Sequence, residues 1–136
     1  MAETVQHTTR KGRMQVNYDG NRPIYKQIIE QVEHLIASNQ WQPNEKVPSV
    51  RQMAEDLEVN PTTIQRAYSL LEQEKILISQ RGIGKFVTNK TDKITDLRLR
   101  LIEAHIEAFI VQLKKLDLTQ NENKHIIERI VRSANE

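Results

Sequence analysis

The chain has 136 residues, 38% of them hydrophobic, and no cysteine; this length suits one modest domain with an appendage, not a second ligand-sized domain. The lack of cysteine excludes a disulfide framework, a thiolate zinc site and a cysteine nucleophile, and indicates a reducing compartment, by default the cytoplasm. The net charge of +2 is weak evidence for a nucleic-acid partner, and no apolar run reaches the roughly 20 residues of a membrane span.

The N-terminal segment, residues 1–20, shows no apolar periodicity, and we predict a flexible arm there. Asn21 then offers a helix cap, and Pro23 suits a first helical turn. Apolar residues recur behind them at helical spacing, which predicts an amphipathic helix over about residues 22–38. Trp41 and Pro43 follow, and they indicate an irregular connection to the next helix.

Two short helices come next, joined by a tight connection. Ser49 and Gln52 have the spacing of a capping box and predict a helix over residues 49–57. Asn60 precedes Pro61, so a cap residue stands before a proline at the first position of a third helix, which runs to about Gln73. The predicted buried face of this helix consists of Ile64, Ala67, Tyr68 and Leu71. The outward polar side chains are then Thr62, Thr63, Gln65, Arg66 and Ser69.

The spacing of the apolar residues changes from helical to strand-like after the third helix. Residues 76–88 read as two short strands, with turn residues at positions 81–84 between them. Gly82 and Gly84 permit close approach of a backbone in this hairpin, while Arg81 and Lys85 supply positive charge.

Helical spacing returns over residues 94–116, where apolar residues form a wide stripe that demands a partner. We predict a dimer interface made of Leu99, Ile102, Ile106, Phe109, Ile110, Leu113 and Leu116. Thr119 and Glu122 form a second capping box, which opens a last helix over about residues 119–133. Residues 91–136 are therefore a predicted helical dimerisation tail.

The order of these elements predicts a mainly α fold with a small β-hairpin: a winged helix-turn-helix DNA-binding domain over residues 21–90, then the two-helix dimerisation segment. Small residues let the N-terminus of the third helix enter the major groove, where Gln65 and Arg66 can hydrogen-bond base edges or backbone. Thr62 and Thr63 suit phosphate or thymine-methyl contacts. We therefore predict a DNA-binding transcription regulator.

Three stretches of the sequence identify a family more specifically than the order of the predicted elements does. They are VPSVRQMA at residues 47–54, VNPTTIQRAY at 59–68 and RGIGKFV at 81–87. Together they resemble the GntR family of bacterial repressors. The Asn-Pro start and the QRAY sequence of the third helix, with the short tail, resemble the YtrA-type subfamily of that family. The resemblance covers about half of the chain, residues 22–90.

The resemblance implies DNA contacts for the residues carried here by Arg51, Thr62, Thr63, Arg81 and Gly82. It also implies a repressor that dimerises through its C-terminal helices and controls transporter operons. Two-fold pairing puts two recognition helices on one face, so we expect the homodimer to bind an inverted-repeat operator. Many family members have arginine where this chain has Pro61 and Gln65, so part of the base readout is changed. The full predicted DNA-binding set is Arg51, Thr62, Thr63, Gln65, Arg66, Arg81, Gly82, Gly84 and Lys85.

Other classes of function fit the sequence less well. An enzyme needs a nucleophile, a base and a pocket, and we expect no catalysis from this chain. His105 has no second histidine at helical spacing, so we expect it to be an interface residue, and we expect neither a metal site nor a cofactor. The alternative is a winged-helix module that binds protein without DNA. An effector, which the sequence does not identify, would bind at the dimer interface or between the tail and the DNA-binding domain.

Overall fold

The computed structural model describes residues 3–9, 12–18 and 20–136, with side chains from residue 20 onward. The described elements are β1 Glu3–Thr9, β2 Gly12–Tyr18, α1 Ile24–Ala37, α2 Val50–Leu57, α3 Pro61–Gln73, β3 Leu77–Gln80, β4 Gly84–Val87, α4 Thr91–Lys115 and α5 Gln120–Ala134. The chain divides into two compact units, Met1–Arg98 and Leu99–Glu136. The fold is mainly α with a small hairpin, as predicted.

Side-chain caps begin three of the helices. Ser49 Oγ accepts from the backbone N–H of Gln52 at 3.1 Å, and Asn60 Oδ1 accepts from that of Thr62 at 2.9 Å. In α5 the capping box is complete, because Thr119 and Glu122 bond each other's backbone N–H groups. The predicted box at α2 forms only in its first half, since the side-chain amide of Gln52 donates to Asp56.

The start of α1 differs from the prediction. Pro23 occupies the N-cap with extended ψ of 137°, and the helix begins at Ile24, so Asn21 is not its cap. The sequence pattern placed the helix start two residues early because a proline fixes φ but leaves ψ free to be extended.

The core of the first unit lies between α1, α2, α3 and the base of the β3–β4 hairpin. Its largest fully buried side chains are Trp41, Tyr68, Ile28, Ile36, Met53, Leu57, Ile64, Leu71, Leu77 and Leu97. Tyr68 also donates its hydroxyl to the carbonyl oxygen of Pro48 at 2.9 Å, inside the protein. Burial raises the pKa of this hydroxyl, so it stays protonated and keeps donating. The bond ties the residues before α2 to α3.

The connection before α2 is more regular than predicted. Val47 N–H donates to Lys85 O at 3.0 Å and Val87 N–H donates to Glu45 O at 2.9 Å. Lys46 forms an antiparallel bridge with Phe86. This segment therefore pairs with β4 through a single β-bridge. The pairing partner lies about forty residues away in the sequence, where local patterns carry no signal for it.

The N-terminal segment also differs from the prediction. β1 and β2 pair antiparallel, with Glu3 opposite Tyr18 and Thr9 opposite Gly12. Two strands thus stand where we predicted an arm without secondary structure. The prediction overlooked a period of two in β2, where Met14, Val16 and Tyr18 alternate with polar residues. Residues 1, 2, 10, 11 and 19 of the predicted arm lie outside the described residues.

The first two turns of α4 belong to the first unit. Ile94 and Leu97 are buried. Arg98 donates from Nε to the carbonyl oxygen of Ala37 at 2.8 Å and from a terminal nitrogen to Asn39 Oδ1 at 2.9 Å. A cation at the C-terminal end of α1 also complements the helix dipole. The division between the two units falls after Arg98, within α4.

The second unit contains the rest of α4 and all of α5. Its large apolar side chains face solvent: Leu99, Ile102, Ile106, Phe109, Ile110, Val111, Leu116, Ile127, Ile130 and Val131 are exposed. Between the two helices lies an apolar groove of about 460 Å³, lined by His105, Ile106, Phe109, Ile110, Leu113, Ile127 and Ile130. Within the described part of the chain, no helix is long and apolar enough to cross a membrane.

Candidate nucleic-acid interface

The exposed face of α3 carries the polar residues that the sequence pattern placed there. Thr62, Gln65 and Arg66 are exposed and Thr63 is half-buried, while the four predicted apolar residues on the opposite face are buried. Pro61 stands at the first helical position, directly after the Asn60 cap. The helix N-terminus, its positive dipole end and the small threonines therefore share one surface.

Two hydrogen bonds organise this surface. Thr62 donates its hydroxyl to Asn60 Oδ1 at 2.8 Å, and Gln65 Nε2 donates to Ser69 Oγ at 3.1 Å. Both bonds join exposed groups, so exchanging either for a bond to a nucleic acid costs little. The amide of Gln65 retains one donor and its acceptor oxygen, which is the pattern that reads an adenine edge.

Arg66 is held by α1. Its guanidinium carbon lies 3.8 Å from the centre of the Tyr25 ring. Stacking engages the flat face of the guanidinium and leaves its N–H groups pointing sideways in their plane. Tyr25 therefore restricts the motion of Arg66 without consuming its hydrogen-bond donors. The sequence pattern counted Tyr25 only as one of the apolar residues of the first helix; an aromatic residue near a helix start is too common a signal to reveal this partner.

Arg51 lies in the first turn of α2 and is paired weakly. Its Nε is 3.5 Å from Glu55 Oε1, and the two side chains are 90% and 62% exposed. An ion pair this open to solvent contributes at most about 1 kcal/mol, so a phosphate can take the place of Glu55. The arrangement leaves Arg51 available to an anionic ligand.

The hairpin turn presents Arg81, Gly82 and Ile83 to solvent. Gly82 has φ of 78° and Gly84 has φ of 143°, values that side chains rarely adopt. A Cβ at Gly84 would lie 2.8 Å from Cε of Lys46, so the lysine stem passes directly over this glycine. Gly84 does permit a close approach, and in this structure the approaching group is Lys46, which the sequence analysis did not single out.

Lys85 has a different environment from Arg81. Its ammonium donates to Glu72 Oε2 at 2.8 Å and to Ser79 Oγ at 2.9 Å. Hydrogen bonds from Lys85 and then Ser79 hold the pKa of the Glu72 carboxyl below its ordinary value. The positive charge of Lys85 is therefore largely engaged inside the protein, although the sequence analysis grouped it with the exposed cations.

Together, α2 and α3 form a helix-turn-helix, and the hairpin beside α3 is the wing, residues 77–87. A polar, capped helix N-terminus, exposed arginines and a glycine-containing turn define the class of protein as a winged helix-turn-helix regulator. Among the described residues, no group of three histidine, aspartate or glutamate side chains could hold a metal ion.

Comparison with known proteins agrees with this class. The sequence model of the family described as "Bacterial regulatory proteins, gntR family" matches residues 24–87. The HTH-type transcriptional regulator YhcF of Bacillus subtilis is 38% identical over 109 residues, covering 80% of this chain and 90% of YhcF. The HTH-type transcriptional repressor YtrA of the same organism is 31% identical over 99 residues, covering 72% of this chain and 76% of YtrA.

The fold has a solved counterpart as well. A GntR family transcriptional regulator from Listeria monocytogenes superposes with a TM-score of 0.70 at 36% identity, covering 82% of this chain and 98% of that one. The chain belongs to the GntR family of bacterial transcriptional regulators. It is a DNA-binding regulator and not an enzyme, which confirms the prediction from the sequence.

Proposed function

We propose that the protein is a repressor that binds an inverted-repeat DNA operator as a homodimer. The observation that carries the proposal is the open apolar face of the second unit, which the fold leaves uncovered. The helix-turn-helix and the wing supply the DNA-binding surface, and the second unit pairs two copies. YtrA, one of the relatives, is named as a repressor.

The proposed DNA-binding surface unites α2, α3 and the wing turn. Gln65 reads a base edge, Thr62 and Thr63 contact phosphate or a thymine methyl group, and Arg66 contacts the backbone from its stacked position. The remaining members are Arg51, Arg81, Gly82 and Gly84. Lys85 belongs to the same surface by position, but its ammonium bonds Glu72.

The pattern of the α4 apolar residues supports self-pairing. Six of the seven predicted interface residues follow one another at alternating spacings of three and four: Leu99, Ile102, Ile106, Phe109, Leu113 and Leu116. This is the heptad pattern of a helix that packs along another helix. Five of these six are exposed and Leu113 is half-buried, so α5 does not cover the seam. A second copy offers an identical seam, and a two-fold pair buries both.

A two-fold pair also determines the form of the operator. Two recognition helices related by a two-fold axis match an inverted repeat whose half-sites are about one helical turn, roughly 10 base pairs, or a multiple apart. Linking two half-site contacts raises the effective concentration of the second one. Operator affinity therefore depends on the second unit, although its residues need not touch DNA.

The test of the dimer compares two aspartate substitutions on α4. Ile106 lies in the heptad seam and Val111 lies outside it, and they are 51% and 52% exposed. We expect Ile106→Asp to sediment as a monomer and to bind an inverted repeat with at least about tenfold lower affinity, because it buries an unpaired charge in each seam. Val111→Asp should remain dimeric. A monomeric wild type at micromolar concentration, or a fully dimeric Ile106→Asp, would contradict the proposal.

A salt titration tests the DNA contacts themselves. The affinity for duplex DNA should fall steeply with salt concentration, and Arg81→Ala should reduce the slope by about one unit for all sequences. Gln65→Ala should instead change the preference at one operator position, with a loss of about 1–3 kcal/mol. A protein that binds no duplex at low salt would be a winged-helix module for protein partners.

A further inference from the structure

The wing of this protein is joined to the recognition helix by one cluster of side chains. Lys85 of β4 bonds Glu72 of α3 and Ser79 of β3, and Ser79 is directly opposite Lys85 in the hairpin register. The cluster therefore connects both strands of the wing to α3. We call Glu72, Ser79 and Lys85 the wing latch.

The latch is better protected from solvent than the other ion pair on this surface. The side chains of Lys85 and Glu72 are 21% and 33% exposed, against 90% and 62% for Arg51 and Glu55. Partial burial strengthens the attraction between the charges. The low pKa of Glu72 means that the carboxylate is charged throughout the neutral range.

The latch joins the part of the wing near the turn to α3. At the base of the hairpin, Leu77 and Val87 are buried in the core, and the segment before α2 pairs with β4. Towards the turn, Ile78, Arg81 and Ile83 are exposed. The Ser79–Lys85 pair lies next to the last pair before the turn. The core fixes the base of the wing, and the segment before α2 holds β4 on one side through the bond from Val47 N–H to Lys85 O. The latch links the same part of the wing to α3.

We propose that Glu72 and Lys85 are positioning residues, which set the wing against the recognition helix so that Arg81 and Gly82 meet the DNA backbone together with α3. Lys85 then acts through Glu72 and does not contact phosphate. The inference rests on the proposed DNA contact of the wing. It assigns a DNA-binding role to an acidic residue, Glu72, whose charge would by itself repel a phosphate.

The two possible roles of Lys85 predict opposite results for Glu72→Gln. If the latch positions the wing, losing the carboxylate loosens the wing and weakens DNA binding by about fivefold, the size expected for a partly buried ion pair. If Lys85 contacts phosphate, the same substitution frees its ammonium, removes a negative charge and strengthens binding. Glu74→Gln is the matched control, because Glu74 is exposed at the end of the same helix and lies outside the latch.

Exchanging the charges separates the roles a second time. Lys85→Glu alone places two carboxylates together and should weaken binding by more than about tenfold. The double variant Glu72→Lys with Lys85→Glu restores the ion pair, and the Ser79 hydroxyl can donate to either residue. We expect the double variant to recover to within a few-fold of wild type. A glutamate at a true phosphate contact would not recover.

The measurement uses the full-length protein and a fluorescent duplex that wild type selects from random-sequence DNA, with a scrambled duplex as reference. Fluorescence of the buried Trp41 reports that each variant is folded. Weaker binding by Glu72→Gln, unchanged binding by Glu74→Gln and recovery in the double variant support the latch. Tighter binding by Glu72→Gln, or no recovery, overturns it. If wild type enriches no duplex, the proposed function fails first and the latch loses its role with it.

Discussion

The two units of this protein use their apolar residues in opposite ways. In the first unit, apolar side chains from α1, α2, α3 and the wing base close on one another, and Trp41, Ile64 and Tyr68 are fully buried. In the second unit, no described residue of α5 is buried, and the apolar side chains of α4 beyond Leu97 face solvent or the groove. The first unit is complete as a single chain, whereas the second needs another surface to cover it.

The largest expected effect comes from truncating one leucine in each unit. Leu71 is 1% exposed and Leu116 is 68% exposed. Leu71→Ala should lower the free energy of unfolding by about 2–5 kcal/mol at any protein concentration, because it leaves a cavity in a closed core. Leu116→Ala should change that free energy by less than about 0.5 kcal/mol in dilute protein.

Urea unfolding over a range of protein concentrations measures both leucine variants. The loss caused by Leu116→Ala should grow as the concentration rises, since the wild-type leucine then gains a partner surface. A loss from Leu116→Ala that did not depend on concentration would mean that the second unit covers this residue by itself.

The next largest effect is on operator binding, and it comes from the Tyr25–Arg66 stack in the first unit. Removing the aromatic ring with Tyr25→Leu should weaken operator binding by about two- to fivefold, because a stack of this kind contributes about 0.5–1 kcal/mol. Tyr25→Phe retains the ring face and should bind as wild type does. A double-mutant cycle with Arg66→Ala, read by DNA titration, isolates the coupling. Additive losses would show that Tyr25 does not act through Arg66.

The smallest effect is the pH dependence of the Glu72–Lys85 pair. Hydrogen bonds from Lys85 and Ser79 lower the pKa of Glu72 in the folded protein below the ordinary value of 4.5. A lowered folded-state pKa stabilises the fold above the unfolded-state pKa, and this contribution is lost as pH falls through the folded-state pKa.

The free energy of unfolding of wild type minus that of Glu72→Gln should therefore be largest near neutral pH, at no more than about 1 kcal/mol for a partly exposed pair. It should shrink below pH 4.5. Urea titrations of both proteins across this range give the difference. A difference that was constant with pH would show that Glu72 is not ionised in the pair.

Local patterns predicted most of the fold because caps and periodicity are short-range. The caps at Ser49, Asn60 and Thr119, the outward face of α3 and the turn at residues 81–84 all depend on neighbours within a few positions. The β1–β2 pair escaped prediction because its period-two signal is short and is carried by β2 alone, at Met14, Val16 and Tyr18. The β-bridge between Lys46 and Phe86 escaped it because the two residues are distant in sequence.

The candidate site also contains some features that local sequence patterns predict and others that depend on distant residues. Periodicity in the sequence is enough to identify the polar residues on the exposed face of α3, the turn with Arg81 between two strands, and the excess apolar surface of the tail. The contact of Arg66 with Tyr25, the passage of Lys46 over Gly84 and the bond of Lys85 to Glu72 are visible only in the folded chain. Each of these contacts joins residues that are distant in the sequence. The sequence shows that a lysine is charged, but it does not show whether folding brings a carboxylate to it or leaves it available to a phosphate.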